Sequence, residues 1–166
     1  MNSSLLDIYF ARALDHAENS NISAALRFAS LALGMMPEDE KTWKLAGLCY
    51  YQLGNNKMTE FCFGQLSDER EELLAAVLRK QDEMKPAVGL AEQGDYKKAA
   101  AYLAAVDKTI GQWNYLGCLY AVLGQREKAA DCFVAALKMD HSNAFALNYL
   151  SGLDQIKKRK WWKIWQ

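Results

Sequence analysis

Only two prolines, Pro37 and Pro86, fall within 166 residues, so little in the chain forbids long helices, and with 51% hydrophobic residues it reads as helical and compact. No run of about 18 consecutive apolar residues is present, so no membrane-spanning helix is expected. The first twenty residues lack a basic start followed by an apolar core and cleavage site, which argues against secretion and makes a cytoplasmic protein the default. Histidine is scarce, with His16 and His141 each alone in its neighbourhood. The four cysteines, Cys49, Cys62, Cys118 and Cys132, have no short paired spacing. Zinc sites need clustered ligands, so neither a disulfide framework nor a metal or cofactor site is expected. The chain also lacks G-x-S-x-G, a phosphate-binding glycine loop and H-E-x-x-H. The acidic residues from Asp68 to Glu72 suit the solvated first turn of a helix, where negative charge complements the dipole. With no nucleophile, base and orienting group in evidence, the expected function is non-catalytic.

What the sequence does contain is a repeated string. Trp113, Leu116, Gly117, Tyr120, Ala129 and Phe133 lie in the register W-x2-LG-x2-Y…A-x3-F. Trp43, Gly47, Tyr50, Gly54 and Phe63 repeat that spacing, with Ala46 at the Leu116 position and Thr59 at the Ala129 position. A weaker copy begins earlier, with Tyr9 at the tryptophan position, Ala25, Ala29 and Ala32 at small-residue positions, and Pro37 at the close. The two tryptophans are two periods plus two residues apart, so one more unit is expected between them, marked by Gly94, Asp95, Tyr96 and Ala99. Its first helix should be one long kinked helix or two short ones, because Pro86 interrupts the stretch from Asp68 to Gln93.

The string resembles the tetratricopeptide repeat, a helix-turn-helix unit of about 34 residues. The resemblance covers roughly residues 6 to 143 and implies an all-α solenoid of four units, near 6–39, 40–73, 74–109 and 110–143, within a single domain of 1–166. A terminal helix over 144–166 should cap the array. Packing explains the residue types. Gly or Ala at the eighth position and a small residue at the twentieth allow two helices to approach, while large residues at the fourth, eleventh and twenty-fourth fill the space around them. Gly54, Gly94 and Gly124 follow a first helix, where a left-handed cap residue is needed. Cys62 and Cys132 share one position in their units, so small buried or half-buried thiols are expected there. Trp43 and Trp113 should be buried.

The resemblance also implies a function, that of an adaptor or co-chaperone-like module binding a protein or peptide partner. Family members line a concave face mainly from the first helix of each unit. Carried onto this chain, those positions are Phe10, Leu14, Lys44, Leu45, Leu48, Tyr51, Asn114, Tyr115, Cys118 and Val122, continued by Asn148 and Tyr149. Met84, Lys85 and Val88 join them if the middle register holds. Phe10 and Leu14 stand where a carboxylate-clamping member has its first Lys and Asn, so a carboxylate clamp is not expected. An apolar lining with scattered amides suits an extended peptide or an amphipathic helix, oriented by Asn114 and Asn148.

The C-terminal end carries a second signal. Leu147, Leu150, Leu153, Trp161, Ile164 and Trp165 share one broad stripe at helical periodicity. Lys157, Lys158, Arg159, Lys160 and Lys163 place five basic residues and no acid among the last ten, leaving 15 basic against 20 acidic residues in the rest of the net-neutral chain. Beside Trp161, Trp162 and Trp165, this composition suits an anionic membrane surface. It suits still better a protein or self contact, with these residues docked on Asp68 to Glu72 of the same or of a neighbouring molecule, the latter making a homo-oligomer. Nucleic acid is the weakest of the three, since a five-charge patch without a recognition fold says little.

Overall fold

The computed structural model describes residues 4–153. Its helices are α1 (Leu5–Glu18), α2 (Ile22–Met35), α3 (Glu40–Gln52), α4 (Asn56–Phe63), α5 (Arg70–Glu92), α6 (Tyr96–Ala104), α7 (Ile110–Val122) and α8 (Arg126–Met139). Helical residues 144–153 follow as α9, and no strand occurs among the described residues. Consecutive helices pair as α1/α2, α3/α4, α5/α6 and α7/α8.

One turn design makes all four pairs. In each, the amide of the third turn residue donates to the carbonyl five residues back: Asn21 to His16 at 2.8 Å, and Asn55 to Tyr50, Asp95 to Leu90 and Gln125 to Tyr120 at 2.9 Å. The middle residue donates three back and is left-handed, the geometry of a Schellman cap. Gly54, Gly94 and Gly124 occupy that place at φ 74°, 81° and 71°, as their sequence positions predict. Ser20 occupies it in the first turn at φ 55° without glycine's freedom.

The third residue of each turn also caps the next helix. Asn21, Asn55 and Asp95 accept the amides of Ala24, Met58 and Lys98 through their side chains at 3.2–3.3 Å. Gln125, one methylene longer, makes no cap bond, and its Oε1 is buried without a partner. Replacing Gln125 with Asp should therefore raise stability by about 1 kcal/mol. A higher midpoint in urea unfolding checks this; an unchanged or lower one contradicts it.

Within the α3/α4 and α7/α8 pairs, a glycine meets a phenylalanine ring. A Cβ on Gly47 would lie 2.3 Å from Phe63, and one on Gly117 would lie 2.7 Å from Phe133. In the other pairs smaller partners serve. Ala13, Ala25 and Ala29 are buried between α1 and α2, and Ala87, Ala99 and Leu103 between α5 and α6. Thr59, at the small-residue position of α4, is fully buried and satisfies its hydroxyl by donating to the Asn55 carbonyl at 2.9 Å.

Helix α5 is a single helix of 23 residues running through Pro86. Of the two expected forms it takes the first, a long helix. Its N-terminal half is additional to the pair with α6: Leu73, Leu74 and Val77 pack on Phe63, Leu66, Trp43 and Tyr51. Glu71 and Glu72 lie in its exposed first turn.

The array closes on itself. A Cβ on Gly111, in the first turn of α7, would sit 2.9 Å from the Gly54 Cα and 2.8 Å from the Leu53 carbonyl oxygen, so the α3–α4 turn rests directly on α7. Ile22 of α2, Cys49 of α3, Ile110 of α7 and Phe133 of α8 consequently share one buried cluster. Trp43 and Trp113 are half-buried, against the expectation of full burial. Trp43 keeps its indole N–H at the edge of the fold, donating to the Pro37 carbonyl at 2.6 Å. In α9, Ala146 is buried and Tyr149 and Leu150 pack on the central cluster, while Phe145 and Leu147 are exposed.

Candidate functional site

Closure of α3 onto α7 leaves a cleft of about 850 Å³ on the side walled by α5. Three turns of α5 supply Lys80, Met84, Val88 and Glu92, spaced four apart and so on one helix face. Asn114, Tyr115 and Cys118 of α7 also line it, with Tyr51 from the end of α3 and Phe145 from α9. The volume falls within the range of ordinary ligand pockets, and its lining combines apolar and aromatic side chains (Tyr51, Met84, Val88, Tyr115, Phe145) with polar ones, among them Lys80, Lys85 and Glu92.

The polar groups at its edge are largely occupied. Lys80 donates to the Asp107 carbonyl at 2.8 Å and pairs with Glu83 at 2.7 Å. Lys85 pairs with Asp82 at 2.6 Å, and Gln81 donates to Glu60 at 3.0 Å. Gln112 is held in a capping box with Thr109. Asn143 donates to the Asn114 side chain at 3.1 Å while its own oxygen accepts the Ala146 amide at 3.2 Å, so Asn114 is oriented from below by the residue that starts α9. Burial pushes the Tyr51 and Tyr115 hydroxyls above the ordinary phenol range.

Of the concave-face residues expected from sequence, Tyr51, Asn114, Tyr115 and Cys118 line this cleft together with Met84, Lys85 and Val88. The others lie outside it. Phe10 is half-buried, and Leu14 and Leu48 are exposed. Lys44 forms an ion pair with Glu69. Leu45 is half-buried and packs against two of the buried clusters. Val122 and Asn148 are exposed, and Tyr149 stacks against Phe133 with ring centroids 4.3 Å apart. Lys157, Lys158, Arg159, Lys160, Trp161, Trp162, Lys163 and Trp165 lie outside the described residues. Several lining residues were missed by sequence reasoning with a signal available: Gly111 and Phe145 hold the second position of the fourth unit and of the segment after it, and Lys80 and Glu92 lie one turn before Met84 and one turn after Val88. Gly54 enters through its contact with Gly111, a pairing of distant turns that no local spacing encodes.

The cysteines divide by burial. Cys49, Cys62 and Cys132 are buried, and desolvation pushes each thiol up to about 11. Cys62 and Cys132 share an environment as they share a position. Cys118 is half-buried at the cleft, with its thiol also raised by burial. Since the thiolate is the reacting form, a folded sample treated with a maleimide at pH 7.5 should be modified first at Cys118. Modification of Cys49, Cys62 or Cys132 at an equal or faster rate contradicts this packing. Among the described residues, no group of three or more His, Cys, Asp or Glu is placed to hold a metal ion, and no helix is long and apolar enough to cross a membrane.

No curated protein matches the chain. Residues 111–143 match the family model described as tetratricopeptide repeat. That segment contains α7, the Gly124 Schellman turn, α8 and the Gly117–Phe133 contact. The described residues are thus all-α and built of helical hairpins, and one of these, at residues 111–143, is similar to a tetratricopeptide repeat unit.

Proposed function

We propose that this chain is a non-catalytic protein-interaction module that receives a short polypeptide segment in the cleft between α5 and α7. A tetratricopeptide repeat supports protein–protein interaction in general; the choice of this cleft rests on the chemistry of its walls. The carrying observation is an apolar surface made by Tyr51, Met84, Val88, Tyr115 and Phe145 whose bordering lysines already hold acids of their own helix. Such a surface favours apolar anchors over a charged terminus, because an incoming carboxylate would have to displace an existing pair. The fit is to a segment with two or three large apolar side chains, extended or helical, in the manner of an adaptor. Panning a displayed random-peptide library on the full chain tests this. Enrichment of peptides with spaced apolar anchors, lost when Val88 is changed to Glu, is the expected result. Enriched peptides that bind Val88→Glu equally well, or no enrichment, would count against the cleft.

A second reading is favoured by the separation of charge along the sequence, with five basic residues and three tryptophans at the C-terminal end of an otherwise acidic chain. That end would bring the module to an anionic bilayer, each Lys or Arg near the surface contributing about 1 kcal/mol. Cosedimentation with phosphatidylserine vesicles should then be lost in a chain ending at Lys157. Equal sedimentation of the two chains, or none by either, would leave a protein or self contact as the role of these residues.

A further inference from the structure

Asp140 lies in the short connection from α8 to α9, away from the cleft, and is 1% exposed. Burying a carboxylate is unfavourable unless it is hydrogen-bonded, and its Oδ1 takes three donors. They are the Ile22 amide at 3.1 Å, the Ser142 amide at 3.1 Å and the Ser142 hydroxyl at 2.6 Å. The next amide, that of His141, donates to the Ser20 carbonyl at 2.7 Å. Ile22 begins α2, and Ser20 is the left-handed residue of the first turn. The first hairpin is therefore bonded to the end of the last one, across 118 residues in the case of Asp140 and Ile22. A hairpin array held only by nearest-neighbour contacts has no need of such a bond.

We infer that Asp140 and His141 form a clasp that holds the array closed, and that its release opens the array while the individual hairpins stay folded. The local features agree on this role. Ser142 contributes nothing across the interface and instead fixes the Asp140 carboxylate from its own side with two bonds. Ser20 holds a conformation better suited to glycine, and its carbonyl is the one that meets His141. The clasp sets how the first two hairpins meet α7, and with it the separation of Tyr51 from Asn114 across the cleft. The inference is independent of what the cleft binds.

Amide hydrogen exchange and small-angle scattering on the full chain test it. In Asp140→Ala, the amide of Ile22 should exchange about 10- to 100-fold faster, the range expected on losing a bond to a carboxylate; the amide of His141, bonded to the Ser20 carbonyl, should accelerate with it as the array opens, and the radius of gyration should increase. Amides of α5 and α6, such as that of Leu103, should keep their wild-type protection. Asp140→Asn retains the Oδ1 acceptor and should remain closed. Ser142→Ala should give a smaller acceleration confined to the same two amides, and it supplies the readout if Asp140→Ala does not fold. Wild-type exchange at Ile22 and His141, acceleration spread evenly over the chain, or unchanged dimensions would each overturn the clasp.

Discussion

Replacing Phe133 with alanine should remove about 3–5 kcal/mol of stability, the largest loss expected from any single substitution discussed. The ring is fully buried, fills the space left by Gly117, and lies 4.3 Å from the Tyr149 ring and 5.8 Å from that of Phe145, measured between centroids. Its loss leaves a cavity where α7, α8 and α9 meet, and none of the three can move in to fill it without breaking the turn at Gly124 or the cap at Asn143. For a chain of this size the melting temperature should fall by roughly 6–20 °C. A loss below about 1 kcal/mol would mean that α9 does not pack on α8 as described.

The second large effect is a pair of identical substitutions with opposite signs. Gly47→Ala puts a methyl group 2.3 and 2.5 Å from two ring carbons of Phe63, which is itself fully buried and cannot yield. Overpacking of this kind costs about 1–3 kcal/mol. Gly34→Ala puts the same methyl in α2, where nothing lies within 4 Å, and should gain about 0.5–1 kcal/mol from reduced chain entropy. Urea midpoints moving in the same direction for both would contradict the close approach of α3 to α4.

These residues also mark what the sequence reveals. Gly47 with Phe63 and Gly117 with Phe133 are 16 apart in both units, and that spacing alone brings a small residue of one helix opposite a large one of the next. The glycines of three turns were legible for a similar reason, since a left-handed residue between two helices leaves few other choices. Local spacing could not reveal that α3 meets α7. That contact depends on Gly54 lying against Gly111 and on Asp140 reaching Ile22, pairings set by the accumulated rotation of four hairpins. Leu45, expected on the concave face, is half-buried and packs against two of the buried clusters. Met84, Lys85 and Val88, whose register depended on Pro86, line the cleft because α5 continues through the proline with Ala87 facing the buried Leu103.

A closed array also changes what a groove of this type presents. Besides any trough along the first helices, it offers a cleft lined by α5 and α7, with Phe145 of α9 also in its lining. On the proposed function, a cleft of this volume would take a short segment. Specificity would then come from side-chain fit to Met84, Val88 and Tyr115, with Asn114 pre-oriented by Asn143, so that little ordering remains to be done on binding.

The most direct measurement is amide hydrogen exchange of the full chain with and without a peptide enriched by panning. Protection confined to residues 80–92 and 111–118, together with slower maleimide modification of Cys118, is the predicted result. Protection on the outer faces around Leu31 or Val134, with Cys118 still reacting at its free rate, would place the binding surface elsewhere and contradict the cleft.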